Sequence, residues 1–159
     1  MKPLFALLKM TLLLLACLSG IEQAHAQACT ASATPVAFGT YDPKSNLPTS
    51  STGTVTIVCQ STVGLLVAYS VKLSSGAGTL QARKMITAGS QLNYQIYLDP
   101  TYTQIWGDGS GGTGYNVGGY LLAVLVPVTT NYTAYGRITA LQNVYAGSYT
   151  DTLTILVTY

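Results

Sequence analysis

The stretch that most limits what this chain can fold into is residues 150–159 (TDTLTILVTY), where Leu153, Ile155, Val157 and Tyr159 alternate with Thr152, Thr154, Leu156 and Thr158. A period of two sends successive side chains to opposite faces. Four apolar groups therefore share one face and mainly threonines the other, as in a half-buried β-strand. Gly147, Ser148 and Asp151 supply turn chemistry just ahead of it. A strand this apolar is expected in the middle of a sandwich, with a neighbour on each side. No hairpin partner comes after it in the sequence, so one neighbour must be an upstream strand or something outside the chain.

The same alternation recurs upstream. Residues 54–59 (TVTIVC) place Val55, Ile57 and Cys59 inward, and residues 65–73 put Leu65, Val67, Tyr69, Val71 and Leu73 on one face. Residues 92–98 set Leu92, Tyr94, Ile96 and Leu98 against Asn93, Gln95 and Tyr97. Residues 34–41 (TPVAFGTY) read as a first strand carrying Val36 and Phe38, and residues 120–128 and 132–138 as two more. Turn signals separate them: Pro43, Asn46, Pro48 and Gly53, then 74–78 (SSGAG), then 107–114 (GDGSGGTG), too rich in glycine to hold a strand. No helical stretch of useful length occurs. About seven short strands with regular turns predict an all-β antiparallel sandwich.

Residues 1–26 read as a signal peptide rather than fold. Lys2 and Lys9 make a basic start, residues 10–18 an apolar core, and Ala24-His25-Ala26 a cleavage site. An alternative stays open in Leu14-Leu15-Ala16-Cys17, a lipoprotein-like site that would leave Cys17 lipidated, although the apolar core after Lys9 is short for a signal segment. Cleavage after Ala26 leaves residues 27–159 as one domain. In it Lys44, Lys72, Arg83, Lys84 and Arg137 face Asp42, Asp99, Asp108 and Asp151. Five cations against four carboxylates give no basic patch for nucleic acid and no polybasic membrane signal. Polarity comes instead from Thr, Ser, Gly, Asn, Gln and Tyr, which suits extracellular β-proteins that pack into assemblies.

Cys29 and Cys59 are an even pair in an exported domain, so a disulfide is expected. Closing a loop of about 31 residues stabilises by roughly 3–4 kcal/mol on the chain-entropy account. The usual catalytic groups are scarce. The single histidine, His25, and the single glutamate, Glu22, both lie in the signal segment. Without them general acid–base work has few candidates, and no nucleophile–base constellation is visible. We therefore expect no enzyme, no cofactor and no small-molecule substrate. Asp108 among glycines supplies too few anionic oxygens for a tight calcium site, so a surface loop is expected there. Arg83-Lys84 is read as the solvated edge of a strand. Asn131-Tyr132-Thr133 matches a glycosylation acceptor, which matters only in a eukaryotic secretory pathway.

A set of motifs now stands together: Cys29-x-Ala-x-Ala-x-Pro-x-x-Phe38-Gly39-x-Tyr41-Asp42, Gly53-x-Val-x-Ile-x-Cys59, Arg83-Lys84-Met85, Leu92-x-Tyr94-x-Ile-Tyr97, Trp106-Gly107-Asp108-Gly109, Tyr135-Gly136-Arg137-Ile138 and Ala146-Gly147-x-Tyr149-x-Asp151-Thr152-Leu153. Together they resemble the spore coat protein U domain, from Cys29 to Tyr159. The resemblance implies an incomplete immunoglobulin-like sandwich lacking its final strand. It also implies export through the periplasm by an archaic chaperone–usher system, with assembly into pili at the cell surface. The expected partners are a periplasmic chaperone, an outer-membrane usher and other pilus subunits. The missing strand is then supplied by a partner in a groove beside Leu153, Ile155, Val157 and Tyr159.

Two features depart from that pattern. Rod subunits of this kind carry about ten alternating residues ahead of the first cysteine as a donor strand, and strand addition needs that length. Here only Gln27 and Ala28 stand between the cleavage site and Cys29, so the subunit is expected to accept a strand without donating one and to cap a fibre. The second departure is residues 120–128 (YLLAVLVPV), more apolar than expected. They read either as a buried strand or as an exposed contact surface formed by Tyr120, Leu121, Leu122 and Val124. Two other roles are compatible with these readings, a tip adhesin binding a surface or glycan and a free-standing extracellular coat protein.

Overall fold

The computed structural model describes residues 28–60, 66–121 and 126–158. The signal-peptide reading, with Cys17 and the site after Ala26, falls outside the described residues, as do Leu122, Val124 and Tyr159.

Eight strands form two antiparallel sheets. They are β1 (Ala28–Thr34), β2 (Thr49–Gln60), β3 (Leu66–Leu73), β4 (Arg83–Thr87), β5 (Ser90–Tyr97), β6 (Asn116–Leu121), β7 (Val128–Ile138) and β8 (Ile155–Thr158). The larger sheet runs β1-β2-β7-β5-β4 and the smaller β6-β3-β8. The alternation legible in the sequence sets the inward faces. Val55, Ile57 and Cys59 of β2, Tyr69, Val71 and Leu73 of β3, and Leu92, Tyr94 and Ile96 of β5 are all buried between the sheets. Each such side chain taken from water is worth about 1.5–3 kcal/mol, which fixes register because a slip of one residue turns the apolar face outward.

Trp106 joins the two layers. It is fully buried, its indole Nε1 donates to Val71 O of β3 at 3.0 Å, and its backbone N donates to Ile96 O of β5 at 2.9 Å. The glycine run after it is a closed loop, in which Gly107 N donates to Gly114 O at 2.7 Å and Thr113 N to Ser110 O at 3.0 Å.

The structure departs from the sequence expectations at several places. The first strand is Ala28–Thr34, paired along its length with β2, and residues 35–41 pass over the core without strand pairing. Val36 and Phe38 still pack on the core, so their alternation reports burial and not a ladder. Residues 120–128 lie only partly within the description: β6 reaches Leu121, residues 126 and 127 are not strand, and β7 starts at Val128. Arg83 is no solvated edge: it opens β4 and has no exposed surface. Finally, among the described residues no upstream strand takes the second side of β8: it pairs with β3, from Ser70↔Thr158 to Leu73↔Ile155, and edges the smaller sheet.

Candidate strand-docking groove

Among the described residues no strand lies against the edge of β8 that faces away from β3. Its inward face carries Ile155 and Val157, half-buried and packed against the core, and Leu153 does the same just ahead of the strand. Thr154, Leu156 and Thr158 point outward, Leu156 with 57% of its surface exposed. The period-two reading of this segment therefore holds on both faces.

Beside it lies a cleft of about 480 Å³. One wall is the end of β1 with the segment just after it, Ala33, Thr34, Pro35, Val36 and Phe38; the other is residues 149–153 with Ile155. Val55, Leu73, Ile96 and Trp106 form the floor. A second cleft of about 740 Å³ shares Val36, Phe38, Met85 and Tyr149 with the first and runs on toward Tyr41, Leu92 and Ile138. The two make one apolar trench. Core side chains are its floor because the two sheets part along the line between β1 and β8, and no described strand covers the gap.

Of the residues expected in the groove, Leu153 and Ile155 line it. Val157 packs on the core without lining either cleft. Tyr159 lies outside the described residues. The opposite wall, Pro35 to Phe38, is absent from the groove that the sequence implies. Val36 and Phe38 carry its signal, but their alternation reads as a strand of its own. The proposed contact surface remains an expectation: Tyr120 and Leu121 end β6, and Leu122 and Val124 fall outside the description.

The polar side chains Tyr94 and Asp151, which line the trench, already have partners. Asp151 accepts from the Tyr94 hydroxyl at 2.6 Å, from Ala77 N at 3.0 Å and from Thr152 N at 2.8 Å. Burial pushes the Tyr94 hydroxyl well above the ordinary phenol range, and its bond to Asp151 adds to that, so it stays a donor. Arg83 sits behind them. Its guanidinium is drawn below its usual range by burial, with Tyr94 and Asp151 opposing that shift. Gln95, expected to face solvent, is buried because its Oε1 takes a bond from Arg83 Nη1. The trench can thus bury apolar side chains, and the β8 edge can hydrogen-bond an extended backbone.

The bond between Cys29 and Cys59 is formed, with the two residues directly opposite in the β1–β2 ladder and 4.0 Å apart at Cα. It ties down the strand that leads into the groove wall.

An immunoglobulin-like antiparallel sandwich with one strand edge left open over its own core is the class of protein that this geometry defines. The profile of the Spore Coat Protein U domain matches residues 16–156, and the chain belongs to that family. It is 33% identical over 132 residues to Protein U of Myxococcus xanthus, across 77% of this chain and 70% of that one. Among solved structures it is similar to the CsuC-CsuE chaperone-tip adhesion subunit pre-assembly complex from archaic chaperone-usher Csu pili of Acinetobacter baumannii. The TM-score is 0.52 at 25% sequence identity, over 84% of this chain. The match spans 40% of the length of the chain it was compared with.

Proposed function

We propose that this chain is an exported subunit of a chaperone–usher surface pilus that accepts a donor strand along β8. The observation that carries the reading is the unpaired β8 edge above an apolar trench floored by the core. Similarity to a chaperone-held pilus subunit supports it. The chaperone fills the trench first, the usher presents the subunit, and an extended segment of a neighbour replaces the chaperone. Hydrophobic burial and edge hydrogen bonds supply the affinity, and no chemical step is needed.

A peptide of about ten residues with apolar side chains at every second position tests this. At a hundredfold excess over its Kd it stabilises the folded domain by about 2.7 kcal/mol, raising Tm by on the order of 10 °C. Ile155→Asp sets a carboxylate on the trench wall and removes the shift. A protein whose Tm does not respond to any such peptide overturns the reading.

Within the fibre we assign the subunit to the tip. From Ala28 onward the chain is committed to its own domain, Ala28 pairing with Gln60 and Cys29 bonded to Cys59. With cleavage after Ala26, no donor length remains ahead of β1. Immunogold label confined to pilus ends is expected. Label along the shaft, or a mature N-terminus well upstream of Gln27, rejects the assignment.

A further inference from the structure

A further open pocket, of about 630 Å³, lies at the β4–β5 hairpin and meets the far end of the trench at Val144 and Tyr145. Ile86, Thr87, Ser90, Gln91, Asn143 and Tyr145 line it. The hairpin supplies one side: Thr87 pairs with Ser90 across a two-residue turn in which Gly89 takes φ 81°. The segment around residue 143 supplies the other, and it is firmly held. Gln142 acts as a piece of backbone, its Oε1 accepting from Asn93 N and its Nε2 donating to Asn93 O, both at 2.8 Å. Gln142 N donates to the Tyr41 hydroxyl at 2.8 Å, and the Tyr149 hydroxyl donates to Tyr145 O at 2.8 Å. Leu141 enters this segment at φ 59°, a strained value for a residue with a side chain. The anchoring leaves Tyr145 75% exposed.

The chemistry of the wall is narrow. It offers two primary amides, two hydroxyls and a phenol, with Ile86 and Val144 as apolar surface and no charged group. The side chains of Thr87, Ser90, Gln91 and Asn143 have no hydrogen-bond partner among the described residues. Amides and hydroxyls both donate and accept, as sugar hydroxyls require, and an aromatic ring with an aliphatic neighbour suits the C–H faces of a pyranose. The absence of cations among the lining residues argues against phosphate or uronate, and the absence of carboxylates against amines. An added peptide strand is disfavoured because the β4 edge beside the pocket is taken: Ile86 N donates to Thr150 O at 2.9 Å, and Thr150 N to Ile86 O at 3.3 Å. The volume falls within the usual range for small-ligand sites.

We propose that this pocket binds a neutral saccharide of one or two pyranose rings. The assignment is independent of strand acceptance, since a chain that refuses a donor peptide can still hold a sugar here, and the reverse. Saturation-transfer NMR and calorimetry on the full exported protein, with neutral hexosides and matched uronic and sialylated sugars, test it. Neutral hexosides are expected to bind with an affinity that salt does not change. Tyr145→Ala is expected to weaken binding about fivefold to tenfold, and the double substitution of Gln91 and Asn143 by Ala further, without moving Tm because all three sites are at the surface. No binding of any neutral sugar overturns the proposal. So does binding unaltered in these variants, or a preference for the acidic sugars or for peptides.

Discussion

Arg83 is the residue on which the interior turns. Its guanidinium donates to Ser74 O from Nε at 3.1 Å and from Nη2 at 2.7 Å, to Trp106 O at 2.8 Å, and to Gln95 Oε1. These acceptors come from the residue just after β3, from the loop after β5 and from β5 itself, so one planar fork ties both sheets together. Arg83→Ala leaves them without donors in a dry interior, at a cost of about 3 kcal/mol or more, read as a lower urea midpoint. Arg83→Lys recovers only part, because an ammonium cannot span a fork. The sequence alone places this residue in solvent, since spacing shows which way a strand residue points but not the cage of carbonyls waiting for it. Asp99 makes the second residue-scale prediction. Its carboxylate accepts from the hydroxyls of Thr101 and Thr103 and from the backbone N of Thr101, Thr103 and Gln104. These bonds, that from Thr101 foremost, hold it far below the ordinary carboxylate range. A depressed pKa in the fold stabilises above the unfolded value, near 3.8, and that contribution drains away as pH falls through the folded value. Asp99→Asn should therefore lower the urea midpoint at pH 7, and the gap to the parent should close as the pH is taken below 3.8.

At the scale of elements, the strands whose two faces contrast most, β2, β3 and β5, are plain in the sequence. β1 (ACTASAT) is not, because Ala, Ser and Thr give no contrast between its faces. The adjoining segment carries the large apolar groups, Val36 and Phe38, and draws the strand assignment to itself. The open edge of β8 is half legible: the alternation shows a face that must be covered, but not that pairing stops at one partner. The groove wall depends on a feature of β7 that no periodicity reveals. A Cβ on Gly136 would stand 2.4 Å from Val36 Cγ1 and 2.7 Å from Phe38 Cζ. Gly136→Ala must push that wall aside. A loss of about 1–3 kcal/mol is expected, together with weaker donor-peptide binding by titration calorimetry, whereas a purely local strain would leave peptide affinity unchanged.

Taken whole, the described residues enclose a core that no described strand covers along the cleft beside β8. A domain with an unfilled trench has little stability to spare, so the Cys29–Cys59 bond weighs heavily. Replacing both cysteines by serine should remove about 2–5 kcal/mol, visible as a fall in Tm that reductant reproduces in the parent protein and not in the variant. That bond also sets how the domain carries load. Cys29 and Cys59 face each other one residue from the start of β1 and from the end of β2. A pull applied by a tether ahead of Cys29 would therefore bypass the hydrogen bonds of β1 and pass through sulfur into β2, whose other edge is laced to β7 along eleven paired positions from Thr49↔Ile138 to Cys59↔Val128. The tension meets that ladder in shear, with its bonds strained together, instead of unzipping the outer strand one bond at a time.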